Sequence, residues 1–133
     1  MENVRNYFIS FAAFLLIDFI WLGFIAKSLY SKYLGYIMAP KPNLVVALIF
    51  YALFTLGILV FVIKPALLAQ EPMRALLYGM FFGLITYATY DLTNLATLKD
   101  WPVTITIIDL IWGTFLGGTT SYISYMLITT LFK

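Results

Sequence analysis

The chain has 133 residues, of which 63% are apolar and 11% are charged, whereas soluble domains carry about 25% charged residues. This composition excludes a soluble globule and a disordered chain. A net charge of +2 without a long basic run excludes a nucleic-acid-binding protein, and the absence of cysteine excludes a disulfide scaffold. Four spans of about 20 residues fit the length and leave about 50 residues for connections. We predict an all-α bundle of four transmembrane helices, forming a single domain over residues 1–133.

Four apolar runs give predicted spans at about residues 7–26, 44–63, 74–98 and 103–131. The first run is longer than the apolar region of a usual signal peptide, so we expect it to be retained. Pro42-Asn43 predicts the start of the second span, and Lys64-Pro65 predicts its end. Pro72 and Pro102 are suited to be the first helical residues of the last two spans.

The connections between spans carry their own patterns. Residues 28–41 are amphipathic, which favours a short interfacial helix after the first span, with Tyr30, Tyr33 and Tyr36 among the lipid headgroups. The alternative is a tyrosine-rich loop packed on the bundle. The short connection at residues 99–102 makes the third and fourth spans antiparallel neighbours, with Trp101 at one membrane interface.

Depth in this hairpin follows from the helical rise, because residues whose numbers sum to roughly 201 lie at the same level. Asp91 is then level with Asp109, and Gly83 with Gly118. Basic residues are shared equally between the two membrane sides. We place both termini in the cytoplasm, since an even number of spans requires them to share a side.

Three of the six acids, Asp18, Asp91 and Asp109, lie inside apolar spans. Each costs about 2.5–3.5 kcal/mol at a helix centre on insertion scales. All three fall in the same half of the bilayer, within roughly 10 Å along the membrane normal, so one shared site is allowed. A shared polar pocket would hold an exchangeable proton. The alternative is that the acids are protonated or hydrogen-bonded glue between helices, with no ligand.

Each acid has a polar residue three positions later, on the same helical face. Asp-x-x-Trp occurs in the first span and again in the fourth, which is explained by an inverted repeat or by chance. The threonines around Asp91 would line a small hydrated cavity, or each would bond its own helix backbone. The candidate ligand-binding residues are Asp18, Trp21, Tyr87, Asp91, Thr93, Asn94, Asp109 and Trp112.

Two G-x-x-x-G motifs, Gly79 with Gly83 and Gly113 with Gly117, occur in the third and fourth spans, with Gly118 beside the second. They predict close packing of these two helices, with a homodimer as the alternative. The chain contains neither histidine nor cysteine, so we expect no cofactor. A bound metal would be a hard cation, held by Asp18, Asp91 and Asp109.

The stretch YDLTNLATLKDWP at residues 90–102, together with DFIWLG from Asp18 and DLIWG from Asp109, carries a resemblance. The chain resembles an uncharacterised bacterial family of small four-span inner-membrane proteins, a domain of unknown function. The resemblance covers essentially the whole chain and implies a multi-pass protein of the bacterial inner membrane. It implies no activity.

Three functions are compatible with these residues. The first is binding or transport of a proton, a metal cation or a small organic cation by the intramembrane carboxylates, with a homodimer needed for conduction. The second is a membrane enzyme that acts on a lipid or isoprenoid by carboxylate acid/base chemistry. The third is a structural or accessory subunit of a membrane complex. The expected partners are the lipid bilayer and a cation or small amphiphile.

Overall fold

A computed structural model describes residues 1–132, and all of its regular elements are helices. Two π-helical segments interrupt the α-helices: Trp21–Ile25 extends α1, and Leu59–Ile63 joins α3 to α4. The α-helices are α1 (Glu2–Ile20), α2 (Lys27–Leu34), α3 (Leu44–Ile58), α4 (Lys64–Ala69), α5 (Pro72–Thr97) and α6 (Val103–Leu131).

Within residues 1–132, three helical stretches are long and apolar enough to cross a membrane: Glu2–Ile25, Leu44–Ala69 and Val103–Leu131. Helix α5 has 26 residues, but its threonine, tyrosine and acidic side chains make it more polar than these three. The chain is therefore a helical, multi-pass membrane protein.

The prediction that Lys64-Pro65 ends the second span is wrong, because the helix continues through both residues to Ala69. Pro65 has no backbone N–H and its ring would clash with a carbonyl of the preceding turn. The π-helical segment before it inserts an extra residue into that turn and so accommodates the ring. The chain instead turns at Gln70, in the left-handed conformation, and α5 begins at Pro72.

Residues 28–41 combine both predicted alternatives, since α2 ends at Leu34 and a turn and loop follow. A side chain at Gly35 would lie 2.4 Å from the carbonyl oxygen of Ser31, so this close turn requires glycine. Helix α3 begins after Asn43, whose Oδ1 accepts a hydrogen bond of 3.2 Å from the N–H of Val46. Pro72 is the first residue of α5, as predicted. The same prediction for Pro102 is wrong, because Pro102 is extended, with a ψ of 129°, and α6 begins at Val103.

Helices α5 and α6 are packed backbone to backbone along a glycine seam. A Cβ added at Gly83 would lie 1.9 Å from the carbonyl oxygen of Gly113, and one at Gly117 would lie 2.2 Å from that of Gly79. Gly118 faces Leu76 and Met80 instead of Gly83, because depth alone does not fix the rotation of a helix. Both G-x-x-x-G motifs therefore serve packing within one chain.

We expect Gly83→Ala to lower the free energy of unfolding by about 1–3 kcal/mol, because the added methyl group meets backbone atoms that cannot rotate away. Titration with SDS in mixed micelles measures this change. The matched control is Gly23→Ala, since a Cβ there meets no atom within 4 Å. Equal unfolding midpoints for the two variants would contradict the seam.

The apolar core lies where α1, α3 and α6 meet, around Phe14, Phe54, Ile58, Trp112 and Leu116. Most other large apolar side chains face outward, as a surface in contact with lipid requires. On α3 the buried core begins at Phe54, one helical turn after the exposed Phe50. The buried acids lie near this end of the core.

Candidate functional site: an intramembrane carboxyl pair

Two of the three predicted acids meet. Asp91 on α5 and Asp109 on α6 are neighbours through their carboxyl groups, and their residues are 0% and 6% exposed. Neither carboxyl oxygen of Asp91 has a hydrogen-bond partner. The ion pairs among residues 1–132, Arg5–Glu2 and Arg74–Glu71, lie elsewhere on the partly exposed surface. The pair can therefore be neutralised by a proton held between the two carboxyls or by a bound cation.

Helix α2 supplies the donor to this pair. The hydroxyl of Tyr30 donates to Oδ1 of Asp109, and the indole N–H of Trp21 donates to the Tyr30 oxygen at 3.3 Å. Burial and the hydrogen bond to Asp109 raise the pKa of Tyr30, so its hydroxyl remains a neutral donor. A second hydrogen bond, of 2.6 Å, joins the hydroxyl of Tyr36 to the carbonyl oxygen of Asp100. These contacts hold α2 and the following turn against one end of the α5–α6 hairpin.

Asp18 does not join the carboxyl pair. Its carboxyl lies beside the hydroxyl of Tyr51 and the indole N–H of Trp112, although that N–H is outside hydrogen-bonding geometry. Trp112 in turn stacks on Trp21, with ring centroids 4.3 Å apart and planes inclined by 9°. The predicted residues Trp21 and Trp112 therefore face each other between the two acidic positions.

Tyr87 links the two acidic positions from α5. Its hydroxyl lies within electrostatic range of Asp18 and Asp109, and also of Tyr30 and Tyr51. The titratable groups facing the carboxyl pair are thus Tyr30 from α2 and Tyr87 and Tyr90 from α5, with Asp18 beyond Tyr87.

Other predicted residues lie outside this site. Thr93 is exposed and donates to carbonyl oxygens of its own helix, at Thr89 and Tyr90. Asn94 lies beside Tyr90 on the same helix. The same backbone bonding recurs in Thr86, Thr89, Thr97 and Thr114. On α5, these threonines therefore donate to the backbone of their own helix, which was the second of the two predicted alternatives.

A cavity of about 430 Å³ opens beside the carboxyl pair, between α3 and α5. It is lined by Phe50, Thr86, Tyr87, Tyr90 and Asp109, so one acid lies among mainly aromatic walls. This volume is within the range of about 300–1,000 Å³ that is typical of small-molecule sites.

The three aspartates do not form one metal site. Across residues 1–132, no three histidine, cysteine, aspartate or glutamate side chains are arranged to hold a metal ion. Asp91 and Asp109 offer two carboxylates, while Asp18 is directed to Tyr51 and Trp112.

Sequence reasoning missed three residues of this site: Tyr30, Phe50 and Tyr51. The amphipathic segment of Tyr30 predicts either a position among the headgroups or a loop packed on the bundle, and neither prediction names Asp109 as its partner. Phe50 and Tyr51 look like ordinary lipid-facing residues in a run without any charge. The available signal was weak: a tyrosine at the depth of a buried acid is a natural donor to it.

The fold and this pair define a class, the small helical multi-pass membrane proteins with acidic residues buried among their helices. The chain belongs to the family described as "Predicted membrane protein (DUF2177)", which matches residues 3–126. This match confirms the predicted membership of an uncharacterised membrane-protein family. No curated protein and no solved structure matches the chain.

Proposed function

We propose that this protein binds a small organic cation at the Asp91–Asp109 pair, and that the cation takes the place of a proton. The observation that carries the proposal is the state of Asp91, which is fully buried beside a second acid with both oxygens unpaired. An acid inside a span costs about 2.5–3.5 kcal/mol, and among residues 1–132 the contact that offsets this cost at Asp91 is a proton shared with Asp109. A bound cation would offset it.

The contacts favour this ligand over two alternatives. A proton shared by Asp91 and Asp109 would join α5 to α6, but these helices are already held backbone to backbone by the glycine seam, so glue alone does not account for two buried acids. A metal cation completes its shell with water or further oxygen ligands around the carboxylates, whereas the walls of the adjacent cavity are mainly aromatic. Aromatic rings of Phe50, Tyr87 and Tyr90 line the adjacent cavity, and ring faces attract organic cations.

The proposal includes α5 as a fourth span. Helix α5 is antiparallel to α6 and shares the glycine seam with it, so it follows α6 across the membrane. Its polar character is explained by Asp91, Tyr87 and the threonines that bond their own backbone. With four spans both termini lie on one side, which we place in the cytoplasm of a bacterial cell.

Proton release on cation binding tests this function. Purified protein in nanodiscs is mixed with alkylammonium ions of increasing chain length, and the proton released is followed with a pH-sensitive dye. We expect apparent affinity to rise by up to about tenfold per pH unit, because the cation binds the ionised pair and protons compete. Na⁺ and Mg²⁺ serve as inorganic probes in the same assay.

Asp91→Asn and Asp109→Asn are each expected to abolish the proton release. The matched control is Asp100→Asn, which makes the same change at an exposed acid. Asp100 has a φ of 62°, a conformation that asparagine tolerates well, so the control should fold normally. Unchanged release in both buried-site variants would overturn the proposal.

A membrane enzyme acting on a lipid or isoprenoid is the second candidate, and the cavity between α3 and α5 favours it. One carboxyl of the pair would donate a proton and the other would accept one. Mass spectrometry of amphiphiles recovered after incubation separates the two functions: a changed mass that requires Asp91 and Asp109 indicates an enzyme.

A further inference from the structure

The first half of the second span, from Leu44 to Phe50, is not packed against α5. Leu44 and Val45 are each 68% exposed and Phe50 is 44% exposed, whereas Phe54 is only 4% exposed. Side-chain packing on α5 is established at Phe54, whose ring centroid lies 5.6 Å from that of Phe82 and 6.5 Å from that of Tyr87. Between its first residue and Phe50, α3 leaves a gap toward α5.

The cavity beside the carboxyl pair lies in this gap. Phe50 forms its wall on α3, Tyr87 and Tyr90 form its wall on α5, and Asp109 lies at its inner side. Phe50 and Tyr90 are both exposed at the outer face of the bundle, 44% and 56% respectively. Because α3 belongs to a stretch that is long and apolar enough to cross a membrane, we expect the outer side of the gap to face lipid hydrocarbon.

Helix α2 covers the pair from another direction. Tyr30 is bonded to Asp109, and Tyr36 is bonded to the backbone of Asp100. Trp101, at 6% exposed, fills the end of the hairpin and donates to Thr106 Oγ1 at 3.0 Å. The gap between α3 and α5 is thus the route to Asp109 that these contacts leave open.

We propose that the ligand of the carboxyl pair is a single-chain amphiphile with a protonated amine, which comes from the bilayer through the gap between α3 and α5. The ammonium group lies at Asp109, which lines the cavity, and replaces the proton that Asp109 shares with the fully buried Asp91, while the alkyl chain lies against Phe50 and the first turns of α3. This inference rests on the proposed function and adds the chemical class of the ligand and its route.

Charge and hydrogen bonding select the headgroup. A protonated amine brings N–H donors and a positive charge to the carboxyl of Asp109 in the cavity wall. A fatty acid or phosphate would place a like charge beside two acids. A quaternary ammonium keeps the charge but has no donor, so it makes no hydrogen bond to Asp109.

Dodecylammonium, methylammonium and dodecyltrimethylammonium are the probes, in nanodiscs of zwitterionic lipid, with the signal from Asp91→Asn nanodiscs subtracted. We expect dodecylammonium to release the proton at a concentration at least about tenfold lower than methylammonium. Dodecyltrimethylammonium should bind at least about tenfold more weakly than dodecylammonium, because it cannot donate a hydrogen bond to Asp109.

Phe50→Trp narrows the gap and is expected to weaken dodecylammonium binding by about fivefold or more, with little effect on methylammonium. The matched control is Phe61→Trp, in the same span, at a residue 68% exposed and away from the cavity. Equal affinities of the two chain lengths and no effect of Phe50→Trp would overturn the lipid route and leave cation binding intact. If no ammonium ion releases a proton, the proposed function fails as well.

Discussion

Asp91→Asn is expected to raise the free energy of unfolding by about 1–3 kcal/mol, although the same change abolishes cation binding. The native carboxyl is fully buried, accepts no hydrogen bond and faces Asp109. Asparagine has nearly the same shape, removes one of two adjacent charges, and brings an amide N–H that can donate to Asp109. SDS titration at pH 8 in mixed micelles measures the gain.

The gain should shrink as the pH falls, because protons then neutralise the native pair and remove the repulsion that asparagine relieves. Asp109→Asn is the matched control, since it makes the same chemical change in the other member of the pair. Asp109 accepts the hydroxyl of Tyr30, so its replacement weakens a charge-assisted hydrogen bond, and we expect a smaller gain or a loss. If Asp91→Asn lowers stability instead, Asp91 has a structural role and cation binding loses its main support.

This result would mean that the bundle keeps Asp91 at a cost to its own stability. Such a cost is typical of functional sites, where stabilising substitutions reduce activity. Inert glue between helices predicts the opposite sign, because removing it would separate the helices. The sign of the change therefore distinguishes a ligand site from a structural contact, without knowledge of the ligand.

Depth along the helices could be predicted from the sequence, because a fixed rise per residue and a short hairpin determine which residues share a level. That arithmetic places Asp91 level with Asp109, and the structure makes these two residues neighbours. Rotation about each helix axis could not be predicted in the same way. Asp18 shares the same half of the bundle, yet the rotation of α1 directs it to Tyr51 and Trp112.

Local departures from helical regularity were also beyond reach from the sequence. A proline after an apolar run usually ends a helix, but the π-helical segment before Pro65 lets the second span continue. The π-helical segment Trp21–Ile25 similarly lies between α1 and α2, and the course of the chain there brings Tyr30 back to Asp109. Hydrophobic periodicity contains no signal for an inserted residue, so the contact between Tyr30 and Asp109 could not be predicted from it.

Tyr30→Phe is expected to loosen α2 from the bundle, because it removes the hydroxyl that joins Trp21 to Asp109. A hydrogen bond to a charged group contributes about 1.5–3 kcal/mol, which corresponds to about a 10- to 100-fold change in an opening equilibrium. The chain has no cysteine, so Ala26→Cys supplies a single reporter thiol at a residue that is 0% exposed. The rate of its labelling by a water-soluble maleimide measures the opening.

Tyr33→Phe is the matched control, because it removes a tyrosine hydroxyl from the same helix. The Tyr33 ring lies beside Lys32, 5.4 Å from its Nζ, whereas the contact with Asp109 is made by Tyr30. Labelling in this control should match the parent, while Tyr30→Phe accelerates it by at least about tenfold. An ammonium group bound to Asp109 would compete with the Tyr30 hydroxyl for the carboxylate and so weaken the hydrogen bond that holds α2. Saturating dodecylammonium should therefore accelerate labelling in the parent more than in Tyr30→Phe. Identical labelling rates in all three proteins would show that α2 is not held by this hydrogen bond.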